Sequence, residues 1–258
     1  MMPGSHGSLP YAQVRMQARL GRRPTAPDVQ RLRAASDLAS CLQQVRGSPF
    51  GRHAGRLAPG MGMHEIDRRL RGEWRAMVAE VARWLPREWQ PALRWLEWLP
   101  WLPALQKLAR AGRAAHWMRD DPVLARVVAA AGAPTTTATV AASIELQPLL
   151  AAVTAHGDVT AAWLAHWRRL WPAGSATRRG LDTIVAAVRH AAHVMATLDT
   201  ANATAESIDA LRSALLRSFR RHPLAPEAAV AYLGLEALDL IELRGAVTRR
   251  AALSPEAT

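Results

Sequence analysis

The chain has 258 residues, half of them hydrophobic, which is enough for one large helical domain or for two to three small lobes. Its net charge of +12 comes almost entirely from arginine, since Lys107 is the only lysine. Cys41 is the only cysteine, so an intramolecular disulfide is excluded, and no run of about 18 uncharged apolar residues predicts a transmembrane helix.

Alanine and leucine dominate the composition and favour helix, so we predict an all-α, multi-helix protein with two to three small lobes. We expect residues 1–9 to be disordered and to carry no signal peptide, because they lack an apolar core. Apolar periodicity, N-cap residues and prolines predict helices in chain order at about 11–20, 27–35, 37–46, 64–85, 121–131, 141–155, 159–171, 176–198, 204–221 and 226–248.

The Gly-, Pro- and Thr-rich residues 133–139 are the predicted connection between an N-terminal helical part, 10–132, and a C-terminal lobe, 140–250. Residues 135–140 are the one stretch that could form a strand, and 251–258 are the predicted disordered tail.

The segment 89–112 places four tryptophans around three prolines, which divide it into short helical pieces. A contact with a membrane surface is one interpretation, because tryptophan favours the lipid–water interface. The favoured interpretation is a helical hairpin whose tryptophans fill the core. Trp163, Trp167 and Trp171 recur every four residues, and we expect them to be core rather than a platform for stacking bases.

A search for catalytic patterns finds no phosphate-binding loop: the glycine-bearing Pro59–Met63 lacks the Lys-Ser/Thr end that such a loop needs. His190 and His193 have helical spacing, but no nearby acidic residue or cysteine completes a set of metal ligands. We therefore expect no catalytic residue, no cofactor and no bound metal.

Residues 217–250 contain a Pro-bearing turn and then an apolar helix with a tyrosine, acidic residues and a Leu-Arg pair. This pattern resembles the C-terminal signature of the C-type connector subunits of V-type/A-type ATPases (ATP synthases), a family whose eukaryotic members are the d-type subunits of the V-ATPase membrane sector. Tyr232 matches the family's tyrosine, Asp239 one of its acidic positions, and Leu243-Arg244 the end of its Asn-Leu-Arg element.

The N-terminal part is similar to the same family. The family begins with a tyrosine followed by arginines on the first helix, and here Tyr11, Arg15 and Arg19 have that arrangement. The stretch 36–51, SDLASCLQQVRGSPFG, resembles the family's next helix and turn, and the helix 64–84 stands where the family has its following one.

The sequence departs from the family in three ways: Glu236-Ala237 replaces the usual Lys-Glu pair, Glu242 replaces the asparagine, and 86–175 has no counterpart. The resemblance therefore describes a short, divergent bacterial member in which a third lobe is reduced or missing.

The resemblance implies a non-catalytic connector in the rotor of a proton- or sodium-translocating ATPase, with its helical lobes arranged as a funnel-like body. Its partners would be the c-ring of the membrane sector and central-stalk subunits of the D and F type, and it would lie on the cytoplasmic face of the membrane as a peripheral protein. Two alternatives remain, a helical scaffold or regulatory module and, less favoured because the arginines are dispersed, a basic protein that binds nucleic acid.

Overall fold

The computed structural model describes residues 8–132, 146–173, 175–198 and 201–253, and every regular element in these ranges is a helix, so the all-α prediction is confirmed. Within the same ranges, no helix is long and apolar enough to cross a membrane. The α-helices are α1 (Leu9–Leu20), α2 (Ala26–Ala34), α3 (Leu38–Arg46), α4 (Gly51–Ala54), α5 (Met63–Trp84), α6 (Gln90–Trp95), α7 (Leu102–Ala111), α8 (His116–Asp120), α9 (Pro122–Gly132), α10 (Gln147–Thr154), α11 (Val159–Arg169), α12 (Ser175–Leu198), α13 (Ala201–Arg221) and α14 (Pro226–Leu253). Turns of 3₁₀-helix, Arg87–Trp89 and Leu96–Trp101, flank α6.

Short polar side chains fix the starts of several helices. Asp37 accepts a hydrogen bond from the backbone N–H of Ser40 at 2.8 Å, and Asp158 accepts one from Ala161 at 2.9 Å, as expected for N-caps. The prediction that residues 1–9 are disordered is wrong for Ser8 and Leu9, because Ser8 caps a helix that begins at Leu9. The last helix likewise continues to Leu253, beyond its predicted end at about 248 and into the predicted disordered tail 251–258.

The chain forms two compact units. The first contains the residues up to Leu93 and those from Pro172 onward, and the second is Arg94–Trp171. The predicted N-terminal part, 10–132, and the predicted C-terminal lobe, 140–250, therefore each contribute residues to both units. The two ends of the chain meet in the first unit, because the last helix packs against α1, α2, α3 and α5. The predicted connection at 133–139 and the possible strand at 135–140 lie outside the described residues.

In the first unit, α14 is the central helix. It packs against α12 and α13 as well as the N-terminal helices, and it is buried on most sides. Its buried residues include apolar ones, such as Leu235 and Leu243, and three acidic ones, Glu227, Glu236 and Asp239. Each large apolar side chain that is fully removed from water contributes about 1.5–3 kcal/mol to folding, so the apolar positions hold the unit together. The acidic ones need a separate explanation.

The second unit has a core rich in tryptophan. Trp95, Trp101, Trp163, Trp167 and Trp171 are all buried. The rings of Trp163 and Trp167 stack with centroids 5.5 Å apart, and Trp171 meets Trp167 edge-on at 5.0 Å. The prediction that these tryptophans fill a core is confirmed, since aromatic pairs of this geometry are typical of protein interiors.

Gly180 of α12 lies against Glu227 in the first turn of α14. An ideal Cβ at this position would lie 2.7 Å from both Cγ and Oε1 of the buried Glu227. We expect Gly180→Ala to lower the free energy of unfolding by about 1–3 kcal/mol, because the methyl group forces the Glu227 side chain out of its place. Gly72→Ala, in the exposed middle of α5 with nothing within 4 Å, is the matched control and should raise stability by about 0.5–1 kcal/mol. Urea unfolding followed by circular dichroism measures both, and equal effects would refute the steric explanation.

Candidate functional site

The three family-like residues of the first helix lie where α1 meets α5. Arg15 donates a hydrogen bond to the Tyr11 hydroxyl at 2.9 Å. The guanidinium groups of Arg15 and Arg19 lie over the ring of Trp84, at 4.9 and 4.8 Å from its centroid. Arg19 also binds Glu80 through two hydrogen bonds of 2.7 and 3.0 Å, a bidentate geometry that holds α1 and α5 in register.

The family-like residues of the last helix are mostly internal. Tyr232, Asp239 and Leu243 are buried, whereas Arg244 is exposed and makes a bidentate pair with Asp67 of α5 at 2.8 and 2.9 Å. These positions therefore connect α14 to the N-terminal helices instead of forming a separate surface.

Asp239 is the centre of a buried charge network. Arg23, in the turn after α1, donates from Nε to one carboxylate oxygen at 2.8 Å, and Arg212 of α13 donates to the other at 2.8 Å. The Asp239 side chain is 1% exposed and the Arg23 side chain 9%. A charge removed from water this completely is tolerated only when opposite charges and hydrogen bonds surround it.

Glu236, one turn before Asp239, forms the second part of the network. Its side chain is fully buried, Arg52 of α4 lies 2.9 Å from Oε2, and His53 Nε2 lies 3.3 Å from the same oxygen. Burial acts to raise the pKa of Glu236, but the contact with His53 and the charge of Arg52 outweigh it and hold the pKa below its ordinary value. Glu236 therefore remains ionised and paired.

Sequence reasoning identified Asp239 but missed Glu236 as a site residue, together with Arg23, Arg52 and Arg212. One signal was available: Glu236 and Asp239 are the only charged residues of the stretch 228–241, so they are expected to be buried with it and to pair with cations. The identity of those cations had no local signal, because 216 positions separate Arg23 from Asp239.

A cleft of about 510 Å³ opens beside this network. Residues of α1, α4, α5 and α14 and of the turns after α1 and before α4 line it, all within the first unit: Arg19, Arg22, Ser48, Pro49, Arg52, His53, Glu73, Ala76, Met77, Glu80, Tyr232 and Glu236. Its volume lies in the range of sites that bind small ligands or peptide side chains.

Tyr232 contributes a polar atom to the lining of this cleft. Its hydroxyl is buried beside the carboxylate of Glu236. Burial raises the pKa of Tyr232 far above its ordinary value, and the negative charge of Glu236 adds to this effect. The hydroxyl is therefore protonated at neutral pH and is a hydrogen-bond donor.

The chemistry of the network favours recognition and support over acid–base catalysis. The Glu236 carboxylate, whose pKa is held below its ordinary value, is a weak base. Among the residues with assigned positions, no group of three or more His, Cys, Asp or Glu side chains is arranged to hold a metal ion.

No protein-family profile, curated protein or solved structure matches this chain. The family resemblance of the two ends therefore depends on the quoted residues alone.

Proposed function

We propose that this chain is the non-catalytic connector of a V-type or A-type rotary ATPase, which docks the central stalk onto the c-ring and passes torque between them. The supporting observation is that the two family-like ends of the chain form one compact unit. In that unit, Asp239 of the last helix is paired with Arg23 directly after the first helix, and Arg244 with Asp67 of α5.

The mechanical role requires stiffness and not a reactive group. A closely packed helical body deforms little under load, because its side chains interdigitate at crystal-like density. Directional ion pairs add resistance to sliding between helices, since a bidentate arginine–carboxylate pair loses both hydrogen bonds when one helix shifts along the other. The pairs Arg19–Glu80 and Arg244–Asp67 each have this geometry, and both join α5 to a neighbouring helix.

The exposed family-like residues are candidates for the contact with the ring or the stalk. Tyr11 is 50% exposed, and the Arg15 and Arg244 side chains are 42% and 58% exposed. A basic surface suits the anionic headgroups beside a membrane ring, where each arginine near the surface contributes about 1 kcal/mol of attraction. The net charge of +12 is consistent with a peripheral position of this kind.

Co-purification tests the proposal. A tagged copy of the chain, expressed in its native cell and isolated in mild detergent, is expected to bring down the c-ring and central-stalk proteins in a constant ratio, as measured by quantitative mass spectrometry. High-salt washing of membranes should release the chain without releasing the ring, because a peripheral protein is held by contacts that salt weakens.

Two results would contradict the connector. A folded chain that is recovered alone, or with other proteins but no ring or stalk components, would favour the scaffold interpretation. Recovery with nucleic acid, with an affinity that falls steeply between about 50 and 200 mM salt, would favour the nucleic-acid interpretation instead.

A further inference from the structure

We infer that one end of the hairpin formed by α12 and α13 binds the surface of an anionic phospholipid membrane. This end, the arginine face, carries five exposed arginines: Arg178, Arg179, Arg217, Arg220 and Arg221. The inference rests on the proposed function for the cellular membrane that it names, whereas the charge, exposure and packing of these residues support the binding of lipid itself.

Helix packing brings the five arginines to one place. α12 ends at Leu198 and α13 begins at Ala201, so the two helices, which pack against each other, run antiparallel. The hydroxyl of Ser207 donates to the carbonyl of Ala191 at 3.2 Å, and from this contact the equal rise of the two helices places the arginines of α12 beside those at the end of α13. Gly180 lies against the start of α14, which follows shortly after α13, so a second contact fixes the same arrangement.

The arginine face is far from charge balance. All of its arginines except Arg178 are without an ion pair in the described ranges. Asp182 is the only acidic residue of positions 175–190, and positions 210–226 contain none. Helix α1, which the turn after α13 contacts, also carries no acidic residue. Positive charge therefore accumulates here almost without compensation, which suits an anionic partner.

The stability of the helices does not explain this accumulation. The helix dipole favours Arg220 and Arg221 in the last turn of α13, but it disfavours positive charge near the start of α12, where Arg178 and Arg179 lie. Arg217 precedes Arg221 by four positions, a spacing at which like charges on a helix repel. An anionic surface that lies against the arginine face relieves these repulsions.

An apolar tip follows the arginines in the turn after α13. Pro223 is exposed, and Leu224 is 50% exposed although its φ of 58° lies in the left-handed region that favours glycine. A leucine at this position is unfavourable in two ways, because its backbone is strained and its apolar side chain faces water. Beside it, Gln13 accepts a hydrogen bond from the Leu224 N–H at 3.4 Å, and the next residue of α1, Val14, is 66% exposed. Insertion into lipid removes these apolar side chains from water.

The apolar tip distinguishes a membrane from nucleic acid. Proteins that lie on bilayers combine basic side chains, which attract anionic headgroups, with apolar ones that enter the boundary between headgroups and acyl chains. A nucleic acid would instead place phosphates against Pro223 and Leu224. Proteins that bind single strands also stack bases on aromatic side chains, and the one aromatic residue of positions 175–225, Phe219, is buried.

Co-sedimentation of the purified chain with lipid vesicles tests the inference. Vesicles of equal parts phosphatidylglycerol and phosphatidylcholine are compared with vesicles of pure phosphatidylcholine. We expect the anionic vesicles to bind at least about tenfold more tightly, because each arginine near such a surface contributes about fivefold in affinity. Binding of a short DNA duplex, measured at the same salt concentration, should be weaker than binding of the anionic vesicles.

Three variants make the test specific. Arg220→Gln/Arg221→Gln should weaken binding to the anionic vesicles at least about tenfold. Arg68→Gln/Arg249→Gln is the matched control, because it removes the same charge from exposed arginines toward the other end of α14, and it should change binding less than about threefold. Leu224→Gly should weaken binding about threefold to tenfold while the helical circular dichroism stays unchanged, because glycine adopts the positive φ without strain.

Four results would overturn the inference: equal binding of the two kinds of vesicle or none to either, tighter binding of the DNA duplex than of the anionic vesicles, a double variant of the arginine face that behaves like its control, or unchanged binding by Leu224→Gly. The vesicles contain no ring or stalk protein, so this test and the co-purification can fail separately. A chain that binds the anionic vesicles but is recovered from cells without ring or stalk components would refute the connector and support the lipid surface.

Discussion

Asp239→Asn is expected to lower the free energy of unfolding of the first unit by about 3–5 kcal/mol, one of the two largest effects of a single substitution in this protein. The change keeps the shape of the side chain and removes only its charge. It leaves Arg23, which is 9% exposed, and the half-buried Arg212 facing each other without an anion between them.

The cost arises from uncompensated charge and not from a lost contact. Both guanidinium groups have given up water to hydrogen-bond with Asp239, with contacts of 2.8 Å from each. An asparagine oxygen can accept one of these bonds, but it cannot neutralise two like charges in an environment of low dielectric constant. The helices α13 and α14 and the turn after α1 are therefore expected to separate at lower denaturant concentration.

Glu242→Gln is the matched control for Asp239→Asn. Glu242 lies on the same helix and pairs with an arginine, Arg33, at 2.8 Å, but the arginine side chain is 56% exposed. An exposed pair of this kind contributes about 0–1 kcal/mol, because water compensates for its loss. Urea unfolding followed by circular dichroism measures both variants, and a loss for Asp239→Asn no larger than that for Glu242→Gln would show that the network is not strongly coupled.

The helices themselves were readable from the sequence because their signals are local. Asp37 and Asp158 mark the starts of α3 and α11, and the apolar residues of α5 recur at helical spacing. The starts of these three helices could therefore be predicted within a residue or two. The division of the chain could not be predicted in this way. It depends on the packing of α14 against helices near the other end of the chain, which no local pattern encodes.

The candidate site shows the same limit. The family-like positions pointed to Tyr232 and Asp239, and both lie in or beside the charged region. Arg52, which pairs with Glu236, had no signal in the sequence, because a single arginine looks like any solvated charge. This ion pair joins residues that are 184 positions apart in the chain, so no local pattern could predict it.

Trp163→Ala is expected to destabilise the second unit by about 3–5 kcal/mol, because it empties a large buried volume. Trp163 is buried and is also half of a reciprocal pair: its Nε1 donates to the carbonyl of Trp95 at 3.2 Å, and Nε1 of Trp95 donates to the carbonyl of Trp163 at 3.1 Å. The substitution therefore removes aromatic packing and leaves a buried carbonyl without its donor.

Two further variants separate packing from hydrogen bonding at this position. Trp163→Phe keeps most of the apolar area and should cost about 1–3 kcal/mol, mainly from the unsatisfied Trp95 carbonyl. Trp98→Ala is the control, since Trp98 is only half-buried, and it should cost less than Trp163→Ala.

Because Asp239 and Trp163 belong to different compact units, a chain that unfolds in two steps should show each substitution shifting its own step. If Trp163→Ala and Trp98→Ala had equal effects, the reciprocal tryptophan pair would not be a main support of the second unit.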